Sequence, residues 1–151
     1  MAKEIERRFL IKDSIPWDLG SQKLIKQGYV LIEENKQLRI RVTGDKSFLC
    51  LKYDSSLVRD EYEYEIPLID GLEILHKCEL KLEKIRNTVS PIDNAYVVDI
   101  DTYPNGLIVA EVEFKSLEDA NNFIIIDWFG EEITGKREYS NITLAGQNLQ
   151  F

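Results

Sequence analysis

Cysteine, histidine and long apolar runs are scarce in this sequence of 151 residues. The two cysteines, Cys50 and Cys78, each lie inside a stretch of alternating apolar residues. They do not form the dense cysteine framework of a small secreted domain, and the N-terminus lacks the apolar segment of a signal peptide. We therefore expect a cytoplasmic protein in which both cysteines are packing residues.

Membrane-spanning segments and a basic surface are also missing from the sequence. An apolar run such as 123–126, which ends at Asp127, is far shorter than the roughly 20 residues that span a bilayer. The formal net charge of −8 is unlike that of a general nucleic-acid binder, which needs a basic footprint to displace phosphate counterions. We expect no membrane and no nucleic-acid partner. Because no repeat or low-complexity linker divides the chain, we expect one domain over 1–151.

Alternation of apolar and polar residues dominates what is present, and it predicts a mainly β (α+β) fold. The predicted strands span 2–11, 28–34, 37–43, 47–53, 58–66, 83–90, 95–102 and 107–115. Helical patterns occur at 16–26, 71–82 and 117–129, with a further short one at 138–147. Eight strands in a chain of this length indicate a barrel or a sandwich with a few helices outside it.

Charged side chains on these strands share one face, because residues two apart point to the same side of a strand. That face carries Glu4, Glu6, Arg8, Arg39, Arg41, Lys52, Arg59, Glu61, Glu63, Glu65, Lys84, Arg86, Asp99, Asp101, Glu111 and Glu113. The residues between them are mostly apolar, such as Ile5 and Phe9 on the first strand. Antiparallel strands whose polar face meets water would show the same alternation, so a solvated face remains the alternative.

The kind of charge on this face favours a binding site over a solvated surface. Five of the seven arginines in the chain lie on it, whereas the lysines are spread over turns and helices. The forked donors of arginine match phosphate oxygens. Acids mixed among these bases would suit a hard divalent cation that shares its ligands between carboxylates and phosphates. If the sheet closed with this face inward, it would enclose a polar tunnel for a metal-bound polyanion.

Several of these segments resemble the CYTH superfamily, also called the triphosphate tunnel metalloenzymes. Glu4-x-Glu6-x-Arg8 resembles the ExExK signature of that family. The similarity continues nearly end to end through the segments EIERRFLI, LRIR, FLCLK, RDEYEYEIP, KIR, VVDID, GLIVAEVEF and WFGEEITGKREYSN. The resemblance implies a closed, eight-stranded antiparallel β-barrel with a charged interior and helices packed outside. It also implies a triphosphate-containing substrate and Mg²⁺ or Mn²⁺ as cofactor.

Residue roles follow from the resemblance position by position. The implied metal ligands are Glu4, Glu6, Glu111 and Glu113, supported by Glu61, Glu63 and Asp99. The implied phosphate ligands are Arg8, Arg39, Arg41, Lys52, Arg59, Lys84 and Arg86. Glu4, Glu6 and Arg8 are the expected catalytic residues, with Glu6 or a second metal positioning the attacking water. The chain departs from the family pattern at Arg8, which replaces a lysine, and at Asp101, where an aromatic residue is expected.

The expected reaction is hydrolysis of inorganic triphosphate to diphosphate and phosphate, possible also for nucleoside triphosphates. Two other reactions use the same kind of tunnel, namely class IV adenylyl cyclase chemistry and thiamine triphosphate hydrolysis. A non-catalytic polyphosphate-binding module is an alternative of a different class, although acids confined in a tunnel would give an anion binder no advantage. The sequence leaves open whether the protein is a monomer or a homodimer.

Overall fold

Nine strands and three helices make up the computed structural model, which describes residues 3–11, 21–53, 57–90 and 96–151. The strands are β1 (Lys3–Ile11), β2 (Gln22–Glu33), β3 (Lys36–Thr43), β4 (Lys46–Tyr53), β5 (Val58–Ile66), β6 (Leu80–Val89), β7 (Val98–Thr102), β8 (Ile108–Glu113) and β9 (Phe129–Glu132). The helices are α1 (Leu68–Lys77), α2 (Leu117–Asn122) and α3 (Asn141–Gly146). None of these helices is long and apolar enough to cross a membrane.

Strands β1 to β8 form a closed antiparallel ring. The order around the sheet is β5-β4-β3-β2-β6-β7-β8-β1, and a further pairing of β1 with β5 joins its two ends. That closing pairing aligns Glu4 with Arg59, while the rest of β1 pairs with β8 and aligns Arg8 with Glu111. The predicted ring of eight antiparallel strands is therefore confirmed.

The outer face of the ring is apolar, and other parts of the chain cover it in two places. Ile5 and Phe9 of β1 pack with Val98 and Ile100 of β7 and with Phe123, just beyond α2. On the other side α1 lies over β2, β3 and β4. Gly28 allows this close approach, because a Cβ built there would lie 2.8 Å from both Cβ and Sγ of Cys78. Covering the apolar face from outside leaves the charged face for the interior.

One end of the interior is filled by apolar side chains, which we call the apolar floor. It consists of the inward residues Leu10, Leu82, Tyr103 and Val109, packed against Leu144 and Ala145 of α3. Leu10 and Val109 lie opposite each other on β1 and β8. The charged lining therefore gives way to a hydrophobic contact with the C-terminal helix.

Several predicted element boundaries are wrong. The predicted helix 16–26 lies partly outside the described residues, and its described part contains the start of β2, which pairs with both β3 and β6. The predicted helix 71–82 is α1, which begins after Pro67 and ends at Lys77, so 80–82 belong to β6. Pairing on both edges of a strand outweighs local helical periodicity.

The last predicted long helix is also shorter than expected. Ser116 caps α2 as predicted by accepting a hydrogen bond from the Asp119 N–H, but the helix ends at Asn122 because Phe123 is extended. The missed strand β9 then pairs with the end of β1. The predicted C-terminal helix is confirmed as a 3₁₀ turn, Arg137–Tyr139, followed by α3.

Candidate functional site

A cavity of about 790 Å³ lies inside the ring and is lined by most of the residues on the charged face. The predicted residues that line it are Glu4, Glu6, Arg8, Arg39, Arg41, Lys52, Arg59, Glu61, Glu63, Arg86, Asp99, Glu111 and Glu113. Arg8, Arg39 and Lys52 are each less than a tenth exposed. A face that merely met water would leave such side chains exposed, so the interior placement of the charged face is confirmed.

Acids from β1, β5 and β8 crowd together at one side of the cavity. Glu6 lies directly opposite Glu113 in the pairing of β1 with β8. Burial, together with the neighbouring Glu111 and Glu4, raises the pKa of Glu6 to about 8. Burial also raises the pKa of Glu4, and burial next to Glu4 and Asp99 raises the pKa of Glu113. Burial and mutual repulsion therefore oppose ionisation of Glu4, Glu6 and Glu113 in this part of the cavity.

Lys52 and Arg8 supply the bases next to these acids. Lys52 Nζ lies 3.2 Å from carboxylate oxygens of both Glu4 and Glu61. Arg8 Nε lies 3.4 Å from Glu111, and its Nη1 donates to the carbonyl oxygen of Tyr139 at 2.8 Å. Arg8 thus joins β1 and β8 to the C-terminal segment.

Strand β3 supplies Arg39 and Arg41, which we call the arginine wall. Arg39 is 3% exposed, and its Nε has no hydrogen-bond partner among the described residues. The nearest carboxylate oxygen in the described structure belongs to Glu63 and lies 3.8 Å from Arg39 Nη2. Among the described residues, Arg41 hydrogen-bonds only to the neutral Gln27 side chain, donating to its Oε1 at 3.3 and 3.4 Å, and burial next to Arg39 lowers the pKa of Arg41 to about 10. The described acids pair this wall only loosely, although Glu61 and Glu4 are near enough to help raise the pKa of Arg39 in spite of its burial.

Arg86 of β6 is placed differently, in a set that we call the paired wall: Arg86, Asp99, Asp101 and Glu111. The Arg86 guanidinium contacts Asp101 at 2.7 Å, Asp99 at 3.3 Å and Glu111 at 3.4 Å. Burial alone would lower its pKa, but hydrogen bonding to Asp101 and the nearby acids raise the pKa well above its usual value. Burial likewise opposes ionisation of Glu111, yet Lys84, Arg86 and Arg8 hold its pKa well below the usual range.

Lys84 was predicted to bind phosphate, but in the described structure it is not among the residues that line the cavity. Its side chain is fully buried, with Nζ 2.8 Å from Asp101 and 5.8 Å from the centre of the Tyr103 ring on the apolar floor. Burial lowers the pKa of Lys84 to about 8 although Asp101 opposes this shift. Lys84 is therefore on the charged face of β6, but it is buried behind the residues that line the cavity.

Other lining residues were not predicted from the sequence. Strand β2 adds Tyr29 and Glu33, and β3 adds Gln37. The β2–β3 turn and the C-terminal segment add Glu34, Asn35, Lys136, Arg137, Ser140, Asn141 and Thr143. Gln37 lies two residues from Arg39, so its position on the charged face could have revealed it. The C-terminal residues come together only through the tertiary fold, although the basic pair at 136–137 was a visible signal.

Cys50 also lies on the inner side of the ring, opposite Arg39 and Glu63 on the neighbouring strands. Its Sγ and carboxylate oxygens of Glu61 and Glu63 all lie within 4.8 Å of one another. The thiol is fully buried, as expected for a packing residue. Oxygen ligands suit a hard cation better than this thiol does, so the crowded glutamates of β1 and β8 remain the better candidates for Mg²⁺ or Mn²⁺.

Comparison with known proteins agrees with this geometry. An inorganic triphosphatase of Acetivibrio thermocellus is 38% identical over 150 residues, which cover 96% of this chain and 94% of that protein. An inorganic triphosphatase of Nitrosomonas europaea is 33% identical over 147 residues, covering 94% and 96%. A crystal structure of an inorganic triphosphatase superposes with a TM-score of 0.67 at 31% identity, over 96% of this chain and 95% of that one.

No protein-family model matches the sequence. Identity above 30% along nearly the full length of the relatives is nevertheless enough to assign a family, and the closed ring with its charged interior agrees with the ExExK-like start of the chain. The chain belongs to the CYTH superfamily, the triphosphate tunnel metalloenzymes, and is related to their inorganic triphosphatases.

Proposed function

We propose that this protein hydrolyses inorganic triphosphate to diphosphate and phosphate with the help of a divalent cation, Mg²⁺ or Mn²⁺. The observation that carries the proposal is a single cavity lined both by glutamates whose ionisation is opposed by burial and mutual repulsion and by buried arginines that the described acids pair only loosely. Relatives named inorganic triphosphatase support the choice of substrate. Water forms a bond to the terminal phosphorus, the bridging P–O bond breaks, diphosphate leaves, and the proton from water passes to solvent.

The carboxylates of β1 and β8 offer the oxygen donors that a divalent metal takes, although the described side chains whose ligand atoms converge within 4.8 Å are those of Cys50, Glu61 and Glu63. Burial and mutual repulsion raise the pKa values of Glu4, Glu6 and Glu113, and a cation among these oxygens would relieve both effects. Glu4, Glu6, Glu111 and Glu113 would hold the metal, with Glu61, Glu63 and Asp99 near it. When bound, the metal would neutralise phosphate charge and polarise the bond that breaks.

The basic residues bind and orient the substrate in this proposal. The arginine wall offers buried guanidinium donors with few partners of their own, and Lys52 and Arg59 extend it toward β1. Phosphoryl transfer depends mainly on positioning and charge neutralisation, and groups fixed in a closed ring need little rearrangement to provide either. Arg8, held by the Tyr139 carbonyl, would bind phosphate beside Glu111.

The setting in the cell is part of the same proposal. Cys50 and Cys78 are both free and buried, which supports a reducing compartment such as the cytoplasm. We also propose that residues 1–151 form one tunnel domain, since β1 at one end of the chain pairs with β9 near the other.

A product assay tests this function directly. Purified protein is incubated with triphosphate, ATP or thiamine triphosphate in Mg²⁺, Mn²⁺ or excess chelator, and the products are separated by ion-exchange chromatography. We expect triphosphate to give diphosphate and phosphate only when a metal is present. Cyclic AMP as the main product from ATP would identify a cyclase instead. Tight binding of triphosphate without turnover in any metal would identify a binding module.

A further inference from the structure

Asp101 of β7 is a fully buried carboxylate at the border between the cavity and the apolar floor. Both of its oxygens are engaged by Arg86, with Oδ1 accepting from Nε at 2.7 Å and Oδ2 accepting from Nη2 at 2.9 Å. Oδ2 also lies 2.8 Å from Lys84 Nζ. One acid is therefore held between two buried bases.

The pair of hydrogen bonds fixes the orientation of the Arg86 guanidinium. Two parallel N–H···O bonds between a planar guanidinium and a carboxylate restrain both the position and the plane of the group. Arg86 and Asp101 are directly opposite each other in the pairing of β6 with β7, so the backbone supports the same geometry. The contacts of Arg86 with Asp99 and Glu111, at 3.3 and 3.4 Å, are longer. Asp101 is thus the main restraint on this side chain.

The outer nitrogens of Arg86 face two other acids, with Nη1 3.3 Å from Asp99 and Nη2 3.4 Å from Glu111. Arg86, Asp99 and Glu111 all line the cavity, whereas in the described structure Asp101 and Lys84 are not in that lining. In the described structure, Asp101 therefore influences the cavity through its contact with Arg86. Lys84 supplies the second positive charge that a buried carboxylate needs when it is far from water.

We propose that Asp101 is a positioning residue that holds the Arg86 guanidinium in the plane in which its outer N–H groups meet a phosphate of the substrate. This inference rests on the proposed function for the identity of the substrate. Asp101 does not touch the substrate itself, so its effect on binding passes through Arg86, while its contact with Lys84 belongs to the buried structure. Residues that orient a ligand-binding side chain typically contribute about tenfold to a hundredfold to affinity or activity.

A double-mutant cycle tests the proposal. Variants Asp101→Asn, Arg86→Ala and their combination are compared for triphosphate binding by calorimetry in chelator and for KM and kcat in Mg²⁺. We expect Asp101→Asn to weaken binding about tenfold to a hundredfold. The combination should be no weaker than Arg86→Ala alone, because the two residues act as one unit. Losses that multiply in the double variant would overturn the proposal.

Two further variants guard against a simple loss of folding. Arg86→Lys keeps Asp101 and the positive charge but lacks the two-pronged contact, so we expect it to lose binding to a similar extent as Asp101→Asn at a near-normal Tm. Wild-type binding by Arg86→Lys would overturn the positioning role. Asp45→Asn, in the exposed β3–β4 turn, is the matched control and should bind normally.

The two proposals fail in different ways. Absence of triphosphate turnover by the wild-type protein in any metal would contradict the proposed function. Binding of triphosphate to the metal-free protein still reports on Asp101 in that case, because Arg86 lines the cavity whether or not a reaction follows. Normal turnover together with normal binding by Asp101→Asn would contradict only the positioning role.

Discussion

The arginine wall and the paired wall face the same cavity but use the same residue type in opposite ways. Arg39 lies 3.8 Å from its nearest described carboxylate and has an unpartnered Nε, whereas Arg86 contacts three acids at 2.7 to 3.4 Å. A loosely paired buried guanidinium is costly until an anion arrives, whereas the partners of a closely paired one offset its desolvation and make the pair costly to break. Arginines on the inner face of one ring can therefore differ in how far they are committed to neighbouring acids, and only their partners reveal this.

The largest effect is expected at the acidic side of the cavity. Glu111→Gln should reduce triphosphate turnover by about a hundredfold to a thousandfold, because it removes a charge from the carboxylates that would hold the metal. Circular dichroism should show a retained fold, and Glu73→Gln on the exposed face of α1 is the matched control. Near-normal kcat in Glu111→Gln would remove this residue from the metal site.

The next largest effect is expected on the free energy of unfolding, which should differ between changes in the two walls. Arg86→Ala removes the two-pronged partner of Asp101 and one of the bases beside Glu111, and breaking a buried charge cluster in this way costs about 3–5 kcal/mol of unfolding free energy. Arg39→Ala removes a guanidinium that is hardly paired, so its metal-free form should be at least as stable as wild type. Urea unfolding in chelator measures both. Equal losses in the two variants would abolish the distinction drawn between the walls.

In substrate binding, unlike in stability, we expect a large loss from a change in the arginine wall. Arg39→Ala should raise KM about tenfold to a hundredfold, which corresponds to the loss of charge-assisted hydrogen bonds to phosphate. The fall in kcat should be smaller. Initial rates over a range of triphosphate concentrations separate the two constants. An unchanged KM would count against a role for Arg39 in phosphate binding.

The pH dependence of stability reports on the crowded acids at one side of the cavity, above all on Glu6. The folded protein holds the Glu6 proton up to about pH 8, while the unfolded chain releases it near pH 4.5. Metal-free protein should therefore lose stability as pH rises from about 5 to about 8, since ionisation then favours the unfolded state. Glu6→Gln should flatten this slope in thermal unfolding. A Tm that rises over the same range, with wild type and Glu6→Gln alike, would contradict the raised pKa.

The smallest effect is expected at Arg8, where the family signature has lysine. Arg8→Lys keeps the charge beside Glu111 and loses the hydrogen bond to the Tyr139 carbonyl oxygen. We expect kcat/KM to change by less than about fivefold, because the charge is kept and a typical hydrogen bond contributes only about 1 kcal/mol net. A hundredfold loss in steady-state assays would show that the fork of Arg8 is needed by the substrate.

Local alternation predicted the hairpin strands well and the long-range elements poorly. The predicted strand 58–66 matches β5, and 37–43 and 47–53 differ from β3 and β4 by one residue at the start. In contrast, the beginning of β2 carries neighbouring apolar residues, Leu24 and Ile25, between lysines, a pattern that also fits a helix. Its strand conformation is determined by pairing with β6, about 60 residues along the chain.

The same limit applies to the candidate site. Strand parity identified which side chains face inward, because that information is local. Depth within the ring is not local: Lys84 and Arg86 lie on one face of β6, yet only Arg86 lines the cavity in the described structure. Lys84 is buried by Tyr103 and the apolar floor, which the distant C-terminal helix α3 completes. Asp101, which departs from the family pattern, gained a role only when its partners were known.

The division of labour between the walls is tested most directly by a crystal structure with Mn²⁺ and a slowly hydrolysed imidotriphosphate. We predict that the phosphates contact Arg39 and Arg41, and that the anomalous signal of manganese lies among Glu4, Glu6, Glu111 and Glu113. The Arg86–Asp101 pair should remain intact, with only the outer N–H groups of Arg86 on phosphate. Phosphates bound away from the arginine wall, or manganese beside Arg39, would contradict the account.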